Sequence, residues 1–588
     1  MLEKKNVPII GIIGCGPRGL SALESLYTQA SKEGVSIKCI IFEKTHQFGS
    51  GPVYNTGQPD SNWLNVAERA VDIWPRGESV FDSFSIPSFP TFQEWMNYDE
   101  ANVDGSETDW FPPRSKMGEY LRERYDSIAE VLQKEGLLQS VHGEVISAVP
   151  DNHSVSIGIL GGEGFTVDEA VLTIGHQPVN LDDQLSKWQT RTVHMDTSVL
   201  FTDPYPIQRL LESGNIGNTK VAVRGFGLAM IDLARAFTVE LGGRFQILDS
   251  RSRIMEYIPS GKEPKSIVPF SLDGLPMAPK PLNRVIDAPF VPSDKELEQY
   301  TDKILTSIES DVPLNSPKFL TKAITPLVVK KYTSSDLEAL EHHNGNDELQ
   351  SVVERWLNDG NYSHELILPL EMEPTKMMER FVEMATGMGK VSLDYCIGHV
   401  WRHCQPRMYK LLSFAPLADE LIADIVALDE RLKRYSYGPP VDSLQQVLAL
   451  ERAGIIDLEW VNNPDIELNE SGWTLSSSGK SITVDTMVNS VLDAPKILKV
   501  AKPLPKNLIN ASLVEPLHDA LGIRTAEDGT IIFENSDVNY RLSVLGRLAK
   551  GTLIGVDAIA ECFGRRSELW AEGVMNRLHN QEFARIKR

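Results

Sequence analysis

The run Ile9–Ile13 (IIGII) contains no polar side chain, and so short and uniform an apolar run predicts a strand buried on both faces. An amphipathic segment over about Leu20–Glu33 predicts a helix after it, and Ser36–Phe42 (SIKCIIF) a second buried strand. A helical period follows from Met117 to Leu132, with Leu121, Tyr125, Ile128, Ala129 and Leu132 on one face. Ser140–Ala148 and Ser154–Leu160 alternate like the arms of a hairpin, and Ala170–Thr173 reads as another buried strand. Strand, helix and strand recur at Thr219–Val223, Met230–Glu240 and Arg244–Leu248. Between Val291 and Leu450 the pattern becomes helical, with amphipathic segments at Lys295–Glu309, Ser334–His342, Glu348–Asp359, Thr375–Met388 and Pro416–Arg434. Strands resume at Ile456–Val461, Ile466–Leu468, Ser481–Leu492 and Leu542–Leu545, before a long C-terminal helix. The expected class is α/β: two Rossmann-like dinucleotide-binding units with a mainly helical insertion. The expected boundaries are 1–215 and 216–290 for the first parts of the two units, 291–450 for the insertion, and 451–588 for the return to both.

The strand ends hold the candidate chemistry. Ile13 runs into Gly14-Cys15-Gly16-Pro17-Arg18-Gly19, a G-x-G-x-x-G. Here Gly14 permits the tight turn, Gly16 lets backbone approach a pyrophosphate, and Gly19 lets helix and strand pack closely. The helix after it aims free N–H groups at the phosphates. Glu43, followed by Lys44, ends the second strand where a ribose hydroxyl is bound, although its spacing from the glycines is longer than the usual ~20 residues. Gly51, in a polar loop after that strand, and the Gly175-His176-Gln177-Pro178 turn lie where ligands sit in open α/β sheets. Arg114, just before a helix, is either solvated or a phosphate contact. The second copy, Arg224-Gly225-Phe226-Gly227, has Met230 in place of its third glycine. After its next strand Asp249 favours a 2′-hydroxyl, whereas Arg251 and Arg253 favour a 2′-phosphate and hence NADPH over NADH. A third strand, glycine and helix series spans Gly546, Thr552, Gly555, Val556 and Asp557.

Composition narrows the class. A formal charge of −23 over 588 residues argues against general nucleic-acid binding, which needs concentrated Lys and Arg. Five sparsely spaced cysteines suit a reducing compartment, and the absence of C-x-x-C disfavours a thiol–disulfide reductase. Lys4 and Lys5 precede an apolar stretch too short for a signal peptide, and no run reaches the ~18 apolar residues of a membrane span, so the cytoplasm is expected. In Trp401–Tyr409, Arg402 and Arg407 either clamp a substrate carboxylate or pair with nearby acids. His403 and Cys404, as neighbours on a helix, do not face one another, and no metal site is expected.

The chain resembles the bacterial FAD/NAD(P)-binding family of two-dinucleotide-binding flavoproteins, akin to flavin-dependent N-monooxygenases. The resemblance rests on Gly14-x-Gly16-x-x-Gly19 with Glu43, Gly49-x-Gly51-x-x-Tyr54 with Leu64-Asn65-Val66, and Pro113-Arg114 with Gly118-x-Tyr120-Leu121. It extends to Gly175–Pro178, Arg224-Gly225-x-Gly227 with Asp232, and Gly546-Arg547 through Gly555-Val556-Asp557. It implies FAD held non-covalently at the first motif, with Asn65 and Gly555–Asp557 near its ring, and a nicotinamide coenzyme at the second. Reduced flavin would then activate molecular oxygen and transfer an oxygen atom to a nitrogen of a small amino-acid-like molecule. His176 is the one candidate for acid–base chemistry, against a role in holding the backbone. Alternatives from the same framework are a flavin reductase or oxidase without oxygen insertion, and a non-catalytic flavin-binding interaction protein. No motif identifies the substrate, the oligomeric state or the role of the insertion.

Overall fold

The strand Ile9–Ile13 lies at the centre of a five-stranded, all-parallel sheet. Across the sheet the order is Leu542–Val544, Glu169–Leu172, Ile9–Ile13, Lys38–Glu43 and Leu138–His142. This computed structural model describes residues 7–98, 104–195, 197–334, 345–532 and 541–586. The central strand can be apolar throughout because the sheet is covered on both sides. One face packs Ile10, Ile12 and Ile41 against the helices Pro17–Glu33 and Arg114–Lys134. The other packs Ile13, Ile40 and Phe42 against an antiparallel meander of Val145–Pro150, Val155–Ile159 and Phe165–Val167. The expected hairpin arm Ser140–Ala148 is therefore two strands. Leu138–His142 joins the parallel sheet, and the chain turns at Gly143 into Val145–Pro150.

Pro17 starts the first helix, where its missing N–H costs nothing, and Gly34 ends it in the left-handed region at φ 65°. The helix lies very close to the sheet: a Cβ on Gly19 would come within 2.1 Å of the Gly14 carbonyl oxygen. Inside this layer Glu24 is buried between two guanidinium groups. It accepts from Arg76 at 2.9 Å and from Arg124 at 2.7 and 2.8 Å.

The second sheet has four parallel strands in the order Val199–Phe201, Thr486–Asn489, Lys220–Arg224 and Ser266–Phe270. It thus begins before residue 216. The expected partner of Lys220–Arg224 was the strand at Arg244–Leu248, and that expectation is corrected. Arg244–Ile247 forms a separate antiparallel ribbon with Met255–Ile258, and Ser266–Phe270 takes the parallel position. Burial explains the choice. Ser266–Phe270 offers apolar side chains to both faces, whereas three of the four ribbon residues are exposed.

Seven helices between Asp294 and Arg452 are described: Asp294–Ile308, Lys318–Tyr332, Asn346–Asn358, Pro374–Ala385, Leu393–Leu412, Asp419–Ser436 and Val441–Arg452. Three were not anticipated, and two of those, Lys318–Tyr332 and Leu393–Leu412, carry an internal proline (Pro326 and Pro406). The expected helix at Ser334–His342 falls almost entirely outside the described residues. Ile456–Val461 makes only isolated bridges, and Ser481–Leu492 divides into Lys480–Val484 and Thr486–Asn489.

Buried charges join the two nucleotide units. Arg114, the first residue of its helix, donates to Asp232 of the helix Leu228–Val239 at 2.7 Å, and the Tyr205 hydroxyl donates to the same oxygen at 2.7 Å. Arg235, one turn further on, donates to the Ser61 carbonyl at 2.9 Å and stacks 3.8 Å over the Trp63 ring.

Replacing Glu24 with alanine leaves Arg76 and Arg124 buried without their shared carboxylate, and is expected to cost about 3–5 kcal/mol. Urea unfolding followed by tryptophan fluorescence measures this, with E119A at the exposed Lys116–Glu119 pair leaving the midpoint in place.

Candidate active site

At the carboxyl ends of the first sheet a cavity of about 200 Å³ is lined by Gly14, Gly16, Pro17, Arg18, Glu43 and Lys44. Gly51, Gly175, His176, Gly546, Val556 and Asp557 complete it from later loops. The backbone here fits a phosphate-bearing dinucleotide on two counts. The helix Pro17–Glu33 has no side-chain cap and no acid in its first turn, so its N-terminal N–H groups are left for an anion. Gly51, at φ 63°, faces Gly16 so closely that a Cβ on it would lie 3.0 Å from the Gly16 Cα. Glu43 accepts from the Cys15 N–H at 2.7 Å and from the Thr45 N–H and hydroxyl at 2.9 and 2.8 Å. A carboxylate offers about four acceptor positions, which leaves one for a ribose hydroxyl.

This cavity opens into a cleft of about 2260 Å³, and Arg18, His176, Arg547 and Asp557 line both. Twelve Lys and Arg line the cleft against nine Asp and Glu, the reverse of the balance of the whole chain. An acidic protein thus keeps an interior suited to anions. At the junction Asp557 pairs with Arg547, with Lys433 at 2.6 Å and with Lys550 at 3.3 Å. Burial alone would push the Asp557 carboxyl up, but these three cations hold it well below the usual range. The His176 ring is open to the cleft, yet the surrounding walls and the Arg547 charge lower its pKa to about 4. It is therefore neutral at pH 7, and no hydrogen bond from the described residues orients its ring.

Farther along the cleft lies a group that sequence reasoning only partly anticipated. Lys280 donates to the Asn65 carbonyl at 2.8 Å, to Asn65 Oδ1 at 3.1 Å and to the Gly438 carbonyl at 2.6 Å. Asn65 Nδ2 in turn donates to the Tyr437 carbonyl at 2.8 Å, so its amide is fixed at both ends. Burial and the neighbouring Arg402 draw the Lys280 pKa down, while three acceptors around Nζ match the three protons of an ammonium. Beside them Arg69 binds Asp109 with two bonds, at 2.7 and 2.8 Å. Asp287 binds Arg402 and stands 3.1 Å from His403 Nε2. No local motif marks Arg69, Lys280, Asp287 or His403, because their partners lie many residues away in the chain.

Several expected residues fall elsewhere. Arg407 is exposed on the helix Leu393–Leu412 and lines neither cavity, so it does not converge with Arg402. Arg253 is committed to Asp442 at 2.6 and 2.8 Å, and the Asp249 carboxylate to the Ser252 N–H and hydroxyl. Arg251 is exposed at the tip of the ribbon that left the sheet. Arg224 pairs with Asp182 and Asn489, and Leu228 and Ala229 line the cleft whereas Gly225 and Gly227 do not. Thr552 is buried, with its hydroxyl on the Ile523 carbonyl, while Gly555 and Arg114 line the cleft. Among the described residues no three His, Cys, Asp or Glu side chains are grouped to hold a metal, and no helix is long and apolar enough to cross a membrane.

The glycine cradle and its free helix end coincide with a family match. Residues 11–177 match the family model described as FAD-NAD(P)-binding. This stretch is an FAD-NAD(P)-binding domain. The chain is also 26 % identical over 571 residues to nitrosuccinic acid synthase npaA of Aspergillus oryzae, covering 88 % of this chain and 83 % of that protein. It is 27 % identical over 286 residues to the nitrosuccinate-forming L-aspartate N-monooxygenase of Streptomyces cremeus, covering 43 % and 40 %. Among solved structures, L-lysine 6-monooxygenase from Pseudomonas syringae aligns over 97 % of this chain and 99 % of its own, at 12 % identity and a TM-score of 0.46.

In the FAD-NAD(P)-binding domain a valine at Gly51 would fill the cradle and force a side chain into a left-handed conformation. G51V is expected to be purified folded but without the flavin absorbance of the unaltered protein, and visible spectra with far-UV circular dichroism test this.

Proposed function

We propose that the protein is an FAD-dependent, NADPH-using N-monooxygenase that hydroxylates the amine of a small amino acid, with an amino dicarboxylate such as L-aspartate as the first substrate to test. The observation that carries the reading is the nucleotide cavity opening at His176, Arg547 and Asp557 into a wide, electropositive cleft. The resemblance to npaA along most of both chains supports it.

Gly14, Gly16 and Gly51 would admit the FAD pyrophosphate to the free end of the helix Pro17–Glu33, with Glu43 on the ribose and Gly555–Asp557 toward the ring. When bound, FAD would supply the redox chemistry, accepting hydride from the nicotinamide and delivering one oxygen atom of O₂ to a nucleophilic nitrogen. The helix Leu228–Val239 has neither a capping side chain nor an acid in its first turn, and Leu228 and Ala229 at its start face the cleft, a place for the NADPH phosphates. The Asp557 cluster supplies positive charge at the junction for an anionic group. Lys280 fixes Asn65 between the first unit and the Gly438 turn, so that this amide is held without reorganisation.

The test mixes the FAD-loaded protein anaerobically with NADPH, then admits oxygen and L-aspartate. Bleaching of the flavin followed by an N-hydroxylated product, seen as a mass gain of one oxygen, is expected. Recovery of all NADPH electrons as hydrogen peroxide, with no hydroxylated amine from any amino acid tried, would leave an oxidase instead.

A further inference from the structure

An N-monooxygenase must remove a proton before it can act, because an ammonium has no lone pair to accept oxygen. The sequence drew attention to His176 for this work, but the ring with a built environment is His403. Its Nε2 stands 3.1 Å from Asp287 Oδ1. The same Nε2 stands 3.0 Å from Arg402 Nη2. In the tautomer with its proton on Nε2 the ring donates to Asp287 and carries its lone pair on Nδ1. The side chain is 22 % exposed and lines the cleft, whereas that of Asp287 is only 9 % exposed. Asp287 is held in turn by Arg402, with Arg69 at 3.9 Å.

We propose that His403 is the base that takes the ammonium proton of the substrate, with Asp287 orienting its ring and balancing the imidazolium that forms. The inference rests on the N-monooxygenase reading. In the step, one N–H bond of the ammonium breaks, its electron pair stays on nitrogen, and the proton passes to His403 Nδ1. Water in the cleft later removes it. Dioxygen and the nicotinamide hydride remain the oxidant and reductant of the whole reaction.

The surroundings favour an amino acid as the donor of that proton. Arg69, Lys280 and Arg402 line the same part of the cleft as Asp109 and Asp287, so basic side chains there outnumber acids by one. Such a wall suits a substrate carboxylate. The groups that set the titration of His403 are Asp287, Arg402 and Arg69, with His399 one turn back on its own helix and Lys280 and Asp109 facing the cleft. Burial lowers its pKa, Asp287 opposes this and Arg402 adds to it. The net shift is downward, so the ring is neutral near pH 7.

The experiment compares the FAD-loaded protein with H403Q, whose amide retains a donor toward Asp287 but is not a base. Flavin content and the rate of flavin reduction by NADPH are expected to stay within about twofold. Hydroxylated product near pH 7 is expected to fall about 100-fold, with the electrons diverted to hydrogen peroxide. Toward about pH 9.5, where amines lose protons unaided, the variant is expected to approach the unaltered protein. Equal product and equal pH profiles would overturn the assignment while leaving the N-monooxygenase reading in place. A deficit that does not change with pH would also overturn it, as loss of position rather than of a base. Should H403Q fail to load flavin, H403A with added imidazole decides: restored product supports the base, and flavin-loaded protein that imidazole does not restore refutes it. Unaltered protein that hydroxylates no amino acid removes the reading and the inference together.

Discussion

The carboxylate of Asp232 holds the two halves of the molecule to one another. It receives Arg114 from the first nucleotide unit and the Tyr205 hydroxyl from the approach to the second, with Arg235 3.7 Å away on its own helix. All three side chains that carry charge here are largely buried, a costly arrangement unless each is paired. That cost fixes the geometry. Arg114 and Arg235 cannot lose Asp232 without stranding a guanidinium, so the helix starts that they anchor stay opposed across the cleft. Arg235 also holds the Ser61–Trp63 loop, only two residues before Asn65, so the same lock reaches the candidate active site.

The cleft then derives its character from long-range pairing within an acidic envelope. Lys280 gathers Asn65 and Gly438, and Asp287 gathers Arg402 and His403. Each cluster joins residues before the helical region to residues within it, so the insertion forms part of the cleft wall. Its charge serves the anions that an FAD-NAD(P)-binding domain brings in, since phosphates and carboxylates both seek Arg and Lys.

Much of the first nucleotide unit was legible because its signals are local. Ile9–Ile13, the three glycines and Glu43 follow in order along one strand–helix–strand unit, and that order carries the geometry. The second unit misled because the motif was legible while the pairing was not. Arg244–Leu248 has the length and place of a closing strand, but its exposure shows only once Ser266–Phe270 has taken the site beside Lys220–Arg224. Asp249, Arg251 and Arg253 follow Arg244–Ile247, in the turn of its ribbon with Met255–Ile258. In the helical region, internal Pro326 and Pro406 concealed two helices. His403 was legible as a residue but not as a dyad. Its neighbour Cys404 points elsewhere on the helix, and its acid lies 116 residues away at Asp287.

The strand Leu542–Val544 has a consequence for how the protein is made. It closes the outer edge of Glu169–Leu172, and the helix Arg565–Ile586 covers the first helix, with Ser567 and Ser21 bonded at 2.9 Å. On a ribosome adding 5–20 residues per second, roughly 370 residues separate the two strands, a wait of about 20–75 s. Throughout that interval the nascent first sheet presents an unpaired parallel edge and the bare apolar side of its leading helix. The first sheet is thus completed only when Leu542–Val544 arrives, and until then its open edge invites pairing with another strand.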